Sequence, residues 1–97
     1  MRDIVIRPAA EDAITILCDF VEAKNTKGSG GRFHTKLLDF IEGYAPLTNL
    51  KFPLCKNEEL ALLYYSCLIF QQKWVIAFTY DDEQITIHRV LLGSGLK

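Results

Sequence analysis

Residues 2–7, RDIVIR, alternate: Ile4 and Ile6 fall on one side, Asp3, Val5 and Arg7 on the other, which is the period of a half-buried strand. Pro8 then suits the first turn of a helix, where its missing N–H costs nothing, and Glu11 and Asp12 sit near the positive end of the helix dipole. Ala10, Ala13, Ile14, Leu17, Phe20 and Val21 recur at three- and four-residue steps, so one stripe of this helix is apolar. The glycine-rich stretch NTKGSGG (25–31) stops it near Asn25. A second helix carries Phe33, Leu37, Phe40, Ile41 and Tyr44 on one stripe, and Gly43 and Pro46 mark its end. Two helices with so short a joint form an antiparallel hairpin.

Residues 45–59 read as a connector, with Leu47, Leu50, Phe52 and Leu54 tacking it to the core. Three strands close the chain, at 60–70, 73–80 and 84–92, with Gln71-Gln72 and Asp81-Asp82 as their turns. The order is β-α-α-β-β-β. It predicts one α+β domain over residues 1–97, a two-helix hairpin on one face of an antiparallel sheet.

In the third strand the bulky residues Trp74, Ile76, Phe78 and Tyr80 alternate with Lys73, Val75, Ala77 and Thr79, and the bulky set is placed against the helices. The second strand does not alternate in this way. Leu63, Tyr65, Cys67 and Ile69 lie on one face, and Leu62, Tyr64, Ser66, Leu68 and Phe70 on the other, so both faces are apolar. The helices can cover one. Either the connector or the C-terminal tail folds over the second, or it waits for a protein partner. The partner-binding candidates are Leu63, Tyr65, Cys67, Ile69, Lys73 and Val75. A slip of one residue in the strand would exchange the faces.

Composition narrows the classes. With 97 residues, 49% hydrophobic and 24% charged, the chain is globular rather than disordered. Its longest apolar run, residues 61–70, is too short to span a bilayer, and no charged-then-apolar leader precedes the first strand, so a cytoplasmic protein without a membrane partner is expected. The net charge is −1 with no basic block, which argues against a surface built on phosphate contacts. Cys18, Cys55 and Cys67 are odd in number and form no CxxC pair, so they are expected as reduced thiols, not a disulfide framework or a zinc ribbon. The glycine-rich stretch lacks GxxxxGK[ST] and the third glycine of GxGxxG, and it follows a helix. It reads as helix–turn–helix punctuation, not a phosphate loop. His34 has no metal-spaced companion, and neither a metal nor another cofactor is expected.

The element order together with the close KWVIAF…DDEQITIHRVLLGS resembles the RelE/ParE toxin superfamily, whose members are plasmid-stabilisation and other toxins of bacterial type II toxin–antitoxin systems. In layout the resemblance covers nearly the whole chain; in residues it is confined to 73–94. It implies one of two activities. RelE-like members cut mRNA in the ribosome without a metal, using basic residues and a tyrosine on the sheet; ParE-like members poison DNA gyrase and lack that set. Both are neutralised by an antitoxin that wraps the toxin.

Metal-free RNA cleavage needs a base for the 2′-OH, an acid for the leaving oxygen and cations around the phosphate. Residues 60–70 contain no Lys, Arg or His; the arginine usual near the start of the third strand falls on Trp74, and the basic position after the final "RV" falls on Leu92. Arg89 survives, with His88 beside it. The resemblance is therefore closer to the ParE-like branch, acting by protein binding with no catalytic set. The partners it implies are a cognate antitoxin and DNA gyrase, with a second copy of this chain as a further candidate. The alternative is a ribosome-dependent mRNA interferase using Arg89, His88, Lys73 and Tyr65 or Tyr64. A relative with the fold and no toxicity is the third reading, since fold does not fix function. Strand parity puts Arg89 with Ile85 and Ile87 toward the helices, where Glu11 or Asp12 would pair it, and His88 on the opposite face.

Overall fold

The computed structural model describes residues 1–63 and 65–93; Tyr64 and the C-terminal tail, residues 94–97, lie outside the described residues. The chain runs β1 (Asp3–Ile6), α1 (Pro8–Lys24), α2 (Ser29–Glu42), α3 (Glu58–Leu62), β2 (Ser66–Phe70), β3 (Trp74–Tyr80) and β4 (Gln84–Leu92). It is an α+β fold in which α1 and α2 pack on one face of a four-stranded sheet of order β1-β4-β3-β2.

Pro8 opens α1 as expected, and the Asn25 side-chain amide donates to the Val21 carbonyl at 2.9 Å to close it. The glycine-rich stretch is the joint between the two helices. Glu22 on α1 accepts from the N–H groups of Gly28 (2.7 Å) and Gly30 (2.8 Å), which would otherwise be unpaired at the start of α2. Those two hydrogen bonds hold the Glu22 carboxyl below its usual range. A Cβ at Gly30 would lie 2.6 Å from the Cys18 carbonyl oxygen, so the close approach of the helices requires glycine there.

The apolar stripes meet the sheet as their spacing predicts. Ala10 and Ile14 of α1 and Phe33, Leu37 and Ile41 of α2 are buried against Trp74, Ile76 and Phe78 of β3 and Ile85, Ile87 and Val90 of β4. Of the connector leucines expected to tack the chain down, Leu47, Leu50 and Leu54 are exposed; Phe52 alone joins this core, edge-on to Phe78 at 4.9 Å.

Three expectations about the sheet need correction. It is mixed, because β1 pairs with β4 in parallel (Asp3 with Gln84 through Ile6 with Ile87). Alternation marks a strand but carries no direction, and here the whole chain between the two serves as the crossover a parallel pair needs. The strand expected over 60–70 begins only at Ser66, and its first part is the helical turn α3. Asn57 caps that turn by accepting the Leu60 N–H at 3.2 Å, with Glu58 and Glu59 favourably placed in its first turn. Continuous apolar residues cannot distinguish a buried helix from a buried strand, and that ambiguity hid the boundary. The cysteines are not all reduced, since Cys55 and Cys67 form a disulfide with Cα atoms 5.1 Å apart, leaving Cys18 free. Spacing along the chain does not report which residues a fold brings within bonding range.

A further anchor is Arg2, which is only 2% exposed. Its guanidinium donates to the carbonyl oxygens of Asp81 (2.8 Å), Leu50 (3.1 Å) and Leu47 (3.3 Å), and it lies 5.1 Å from the Tyr80 ring centre. The connector is thereby fastened to the β3–β4 turn through one side chain. Arg2→Met keeps the aliphatic packing but strands those carbonyls. Denaturant unfolding should show a loss of about 2–3 kcal/mol.

Candidate functional site

The second sheet face divides into two halves. Toward β2, the connector and α3 lie over it: Cys55 and Leu60 pack on Ala77 with Tyr65, Cys67 and Leu91 around them. Toward β1 the face stays open and polar, carrying Val5, Thr79, Thr86, His88 and Arg89, none of them fully buried. The sequence put apolar residues on both faces of the second strand; the connector and α3 cover part of this second face, at Cys55, Leu60 and Ala77, and leave Ile69 exposed.

His88 and Arg89 share that open face because β4 is bulged. Phe78 pairs with Ile87 and Ala77 with Arg89, so His88 is an extra residue in the ladder. Parity after it is inverted, and two neighbouring side chains emerge on the same side. This corrects the orientation expected of Arg89. It is exposed on the face away from α1, beyond the reach of Glu11 and Asp12, and its guanidinium carbon stands 5.8 Å from the centre of the Tyr65 ring.

Tyr65 organises the group. Its backbone is fixed by hydrogen bonds from its N–H to the Leu60 carbonyl (3.1 Å) and from the Cys55 N–H to its carbonyl (2.9 Å). Its ring stacks on the His88 imidazole at 4.8 Å with the planes 10° apart. His88 Nε2 and the Thr79 hydroxyl oxygen are 2.8 Å apart and share a hydrogen bond. Burial, then the positive charges of Arg7 and Arg89, push the His88 pKa below the ordinary 6.5, so the ring is neutral at pH 7. A neutral imidazole beside two guanidinium groups can accept a proton and can meet an anion. Arg7 was missed as a member of this group. Its parity with Val5 was the available signal, since it put Arg7 on the face opposite Ile4 and Ile6.

The other site candidates fall elsewhere. Lys73 is not part of the group; its ammonium lies 5.3 Å from the Trp74 ring centre, and Trp74 belongs to the helix-side core. Val75 is only 2% exposed and contributes no more than a small part of a groove lining. Cys67 is bonded to Cys55. Leu63 and Ile69 are each 46% exposed, and Ile69 lines an apolar groove of about 270 Å³ with Pro53, Leu54, Lys56 and Val75. Tyr64 lies outside the described residues, and His34 is exposed on α2.

Among the described residues no three His, Cys, Asp or Glu side chains are grouped to hold a metal ion, and no helix is long and apolar enough to cross a membrane. A scan of protein-family models gives no match to the chain, and a search of the curated proteins likewise gives none.

The lowered His88 pKa has a definite sign. Stability from the neutral ring is fully present above the ordinary value of 6.5 and is lost as pH falls through the lowered folded value. Thermal unfolding of His88→Gln should therefore fall less than that of the wild type between neutral pH and pH values below 6.5. The acid loss tied to Glu22 and Asp81, whose carboxyls also titrate below their usual range, stays the same in both.

Proposed function

We propose that the chain is a ParE-like toxin of a bacterial toxin–antitoxin pair, working in the cytoplasm by binding proteins: a cognate antitoxin first, and DNA gyrase as the target. The observation that supports it is the free edge of the sheet. Among the described residues, β2 pairs with β3 on one side, and on its other side meets only the single bridge from Leu54 to Ser66. Beside that edge Leu54, Leu62, Leu63 and Ile69 are exposed, with Leu62 at 79%. An unpaired edge flanked by apolar side chains is a template for an added strand. Lys56 in the groove lining favours acidic residues in the segment that adds. A disordered antitoxin tail has both properties.

The second reading, ribosome-dependent mRNA cleavage, draws support from the convergence of Tyr65, His88 and Arg89 on the open face with Arg7 nearby. It loses Lys73 from its set. Protein binding is the better-supported function because the apolar edge is exposed, whereas the cationic group is small.

Expression of the chain alone should arrest growth, and co-expression with the protein encoded beside it should relieve the arrest and yield a stable complex. A harmless chain that remains monomeric and captures no such partner refutes the reading. Within the complex, Ile69→Asp should weaken binding at least tenfold, because it buries an unpaired carboxylate, while Lys73→Ala should change it less than fivefold. Equal effects would remove the edge from the interface. Should ribosome-dependent mRNA cleavage be seen and vanish in Arg89→Ala, the nuclease reading takes precedence.

A further inference from the structure

We propose that the Cys55–Cys67 disulfide is a redox latch that holds the segment carrying α3 and Tyr65 over the His88 face, and that a dithiol reductant opens it. The inference rests on the placement of the bond and not on the toxin reading.

The bond joins the connector to β2 and closes a loop of sequence separation 12, inside which lie α3 and Tyr65. Among the described residues the other ties are few: the Leu54–Ser66 bridge and the hydrogen bond from the Ser66 hydroxyl to the Phe52 carbonyl stand at the foot of that loop. Leu60 is the one buried residue of α3, and the buried cluster beneath it consists of Cys55, Leu60 and Ala77. Leu62 and Leu63 face solvent. The disulfide is therefore the one covalent tie at the open end of the loop, beside the Cys55–Tyr65 backbone hydrogen bond and the Leu54–Ser66 bridge. Tyr65, in turn, is the residue stacked on His88 and beneath the Arg89 guanidinium.

The bond can be reached from outside. Both cysteines line the groove at the β2 edge, and Cys67 is half-buried whereas Cys55 is buried. A thiolate of the reductant attacks Cys67 Sγ; the disulfide bond breaks, Cys55 departs as a thiolate, and a mixed disulfide forms on Cys67. The second thiolate of the same dithiol then displaces Cys67. Two electrons and two protons pass to the protein, giving two thiols, and the reductant leaves as a disulfide. Lys56, adjacent to Cys55 and in the same lining, favours the departing thiolate. Cys18 takes no part in exchange, because it packs in the helix-side core across the sheet, and burial raises its thiol pKa. The pair therefore has two states, bridged and reduced. On the cytoplasmic location proposed above, a bridge of this kind is transient and responsive, not a structural staple.

The test is hydrogen–deuterium exchange on the full chain, oxidised with diamide or reduced with dithiothreitol. On reduction the amides of Leu60, Ala61 and Tyr65, which bond within this segment, should exchange at least tenfold faster, while those of β3 and β4 keep their rates. The His88 titration followed by NMR should move up toward 6.5 as the stacked ring leaves it. Cys55→Ser with Cys67→Ser should reproduce both changes without reductant; if that variant does not fold, the reduced wild type carries the test. Unchanged exchange in the reduced chain overturns the latch. So does acceleration spread over β3 and β4, and so do three free thiols, Cys18 included, after diamide treatment.

Discussion

A single extra residue in β4 decides which side chains stand on each face of the sheet. With Phe78 opposite Ile87 and Ala77 opposite Arg89, His88 has no partner of its own. Ile85 and Ile87 before the bulge and Val90 after it all reach the helix-side core. An unbroken strand could not do this, because Ile87 and Val90 are an odd number of residues apart and strict alternation would send them to opposite faces. The bulge thus serves packing first. Its by-product is a pair of adjacent side chains, His88 and Arg89, on the other side of the sheet, where a charged residue can stay solvated.

The rest of the second face follows from what two helices can and cannot cover. α1 and α2 cover the centre of one side. Over β2 and β3 the connector crosses to the other side, where Leu60 and the Cys55–Cys67 bond hold it. Apolar side chains without cover are thereby gathered at the β2 edge, on Leu54, Leu62, Leu63 and Ile69. Two surfaces of different chemistry result: an exposed apolar edge, and a small cationic face around a neutral histidine. Tyr65 connects them, since its backbone belongs to the connector and its ring to the His88 group.

Arg2 plays the corresponding part at the other end of the connector. It is a buried charge satisfied by carbonyl oxygens and aromatic faces. Such a group is stable because every donor it uses has a partner, and its fork geometry reaches two backbone segments at once, the connector and the β3–β4 turn. The connector, which has little regular structure of its own, is thus held at both ends by specific bonds.

The amino-acid sequence by itself determined the helical hairpin, the glycine-rich joint, the last two strands and the face that the bulky residues of β3 turn to the helices. These are periodic signals set by neighbours three, four or two residues away, and each element is long enough to show its period. Three features were decided only by tertiary structure. The start of β2 depended on whether Leu60 buries against the sheet from a turn of helix; Asn57, Glu58 and Glu59 signalled that turn, but the apolar run after them masked it. The disulfide depended on two distant segments meeting. The direction of Arg89 depended on a bulge chosen by cross-strand packing, for which a lone strand carries no signal, since its parity is defined only against the partner it pairs with.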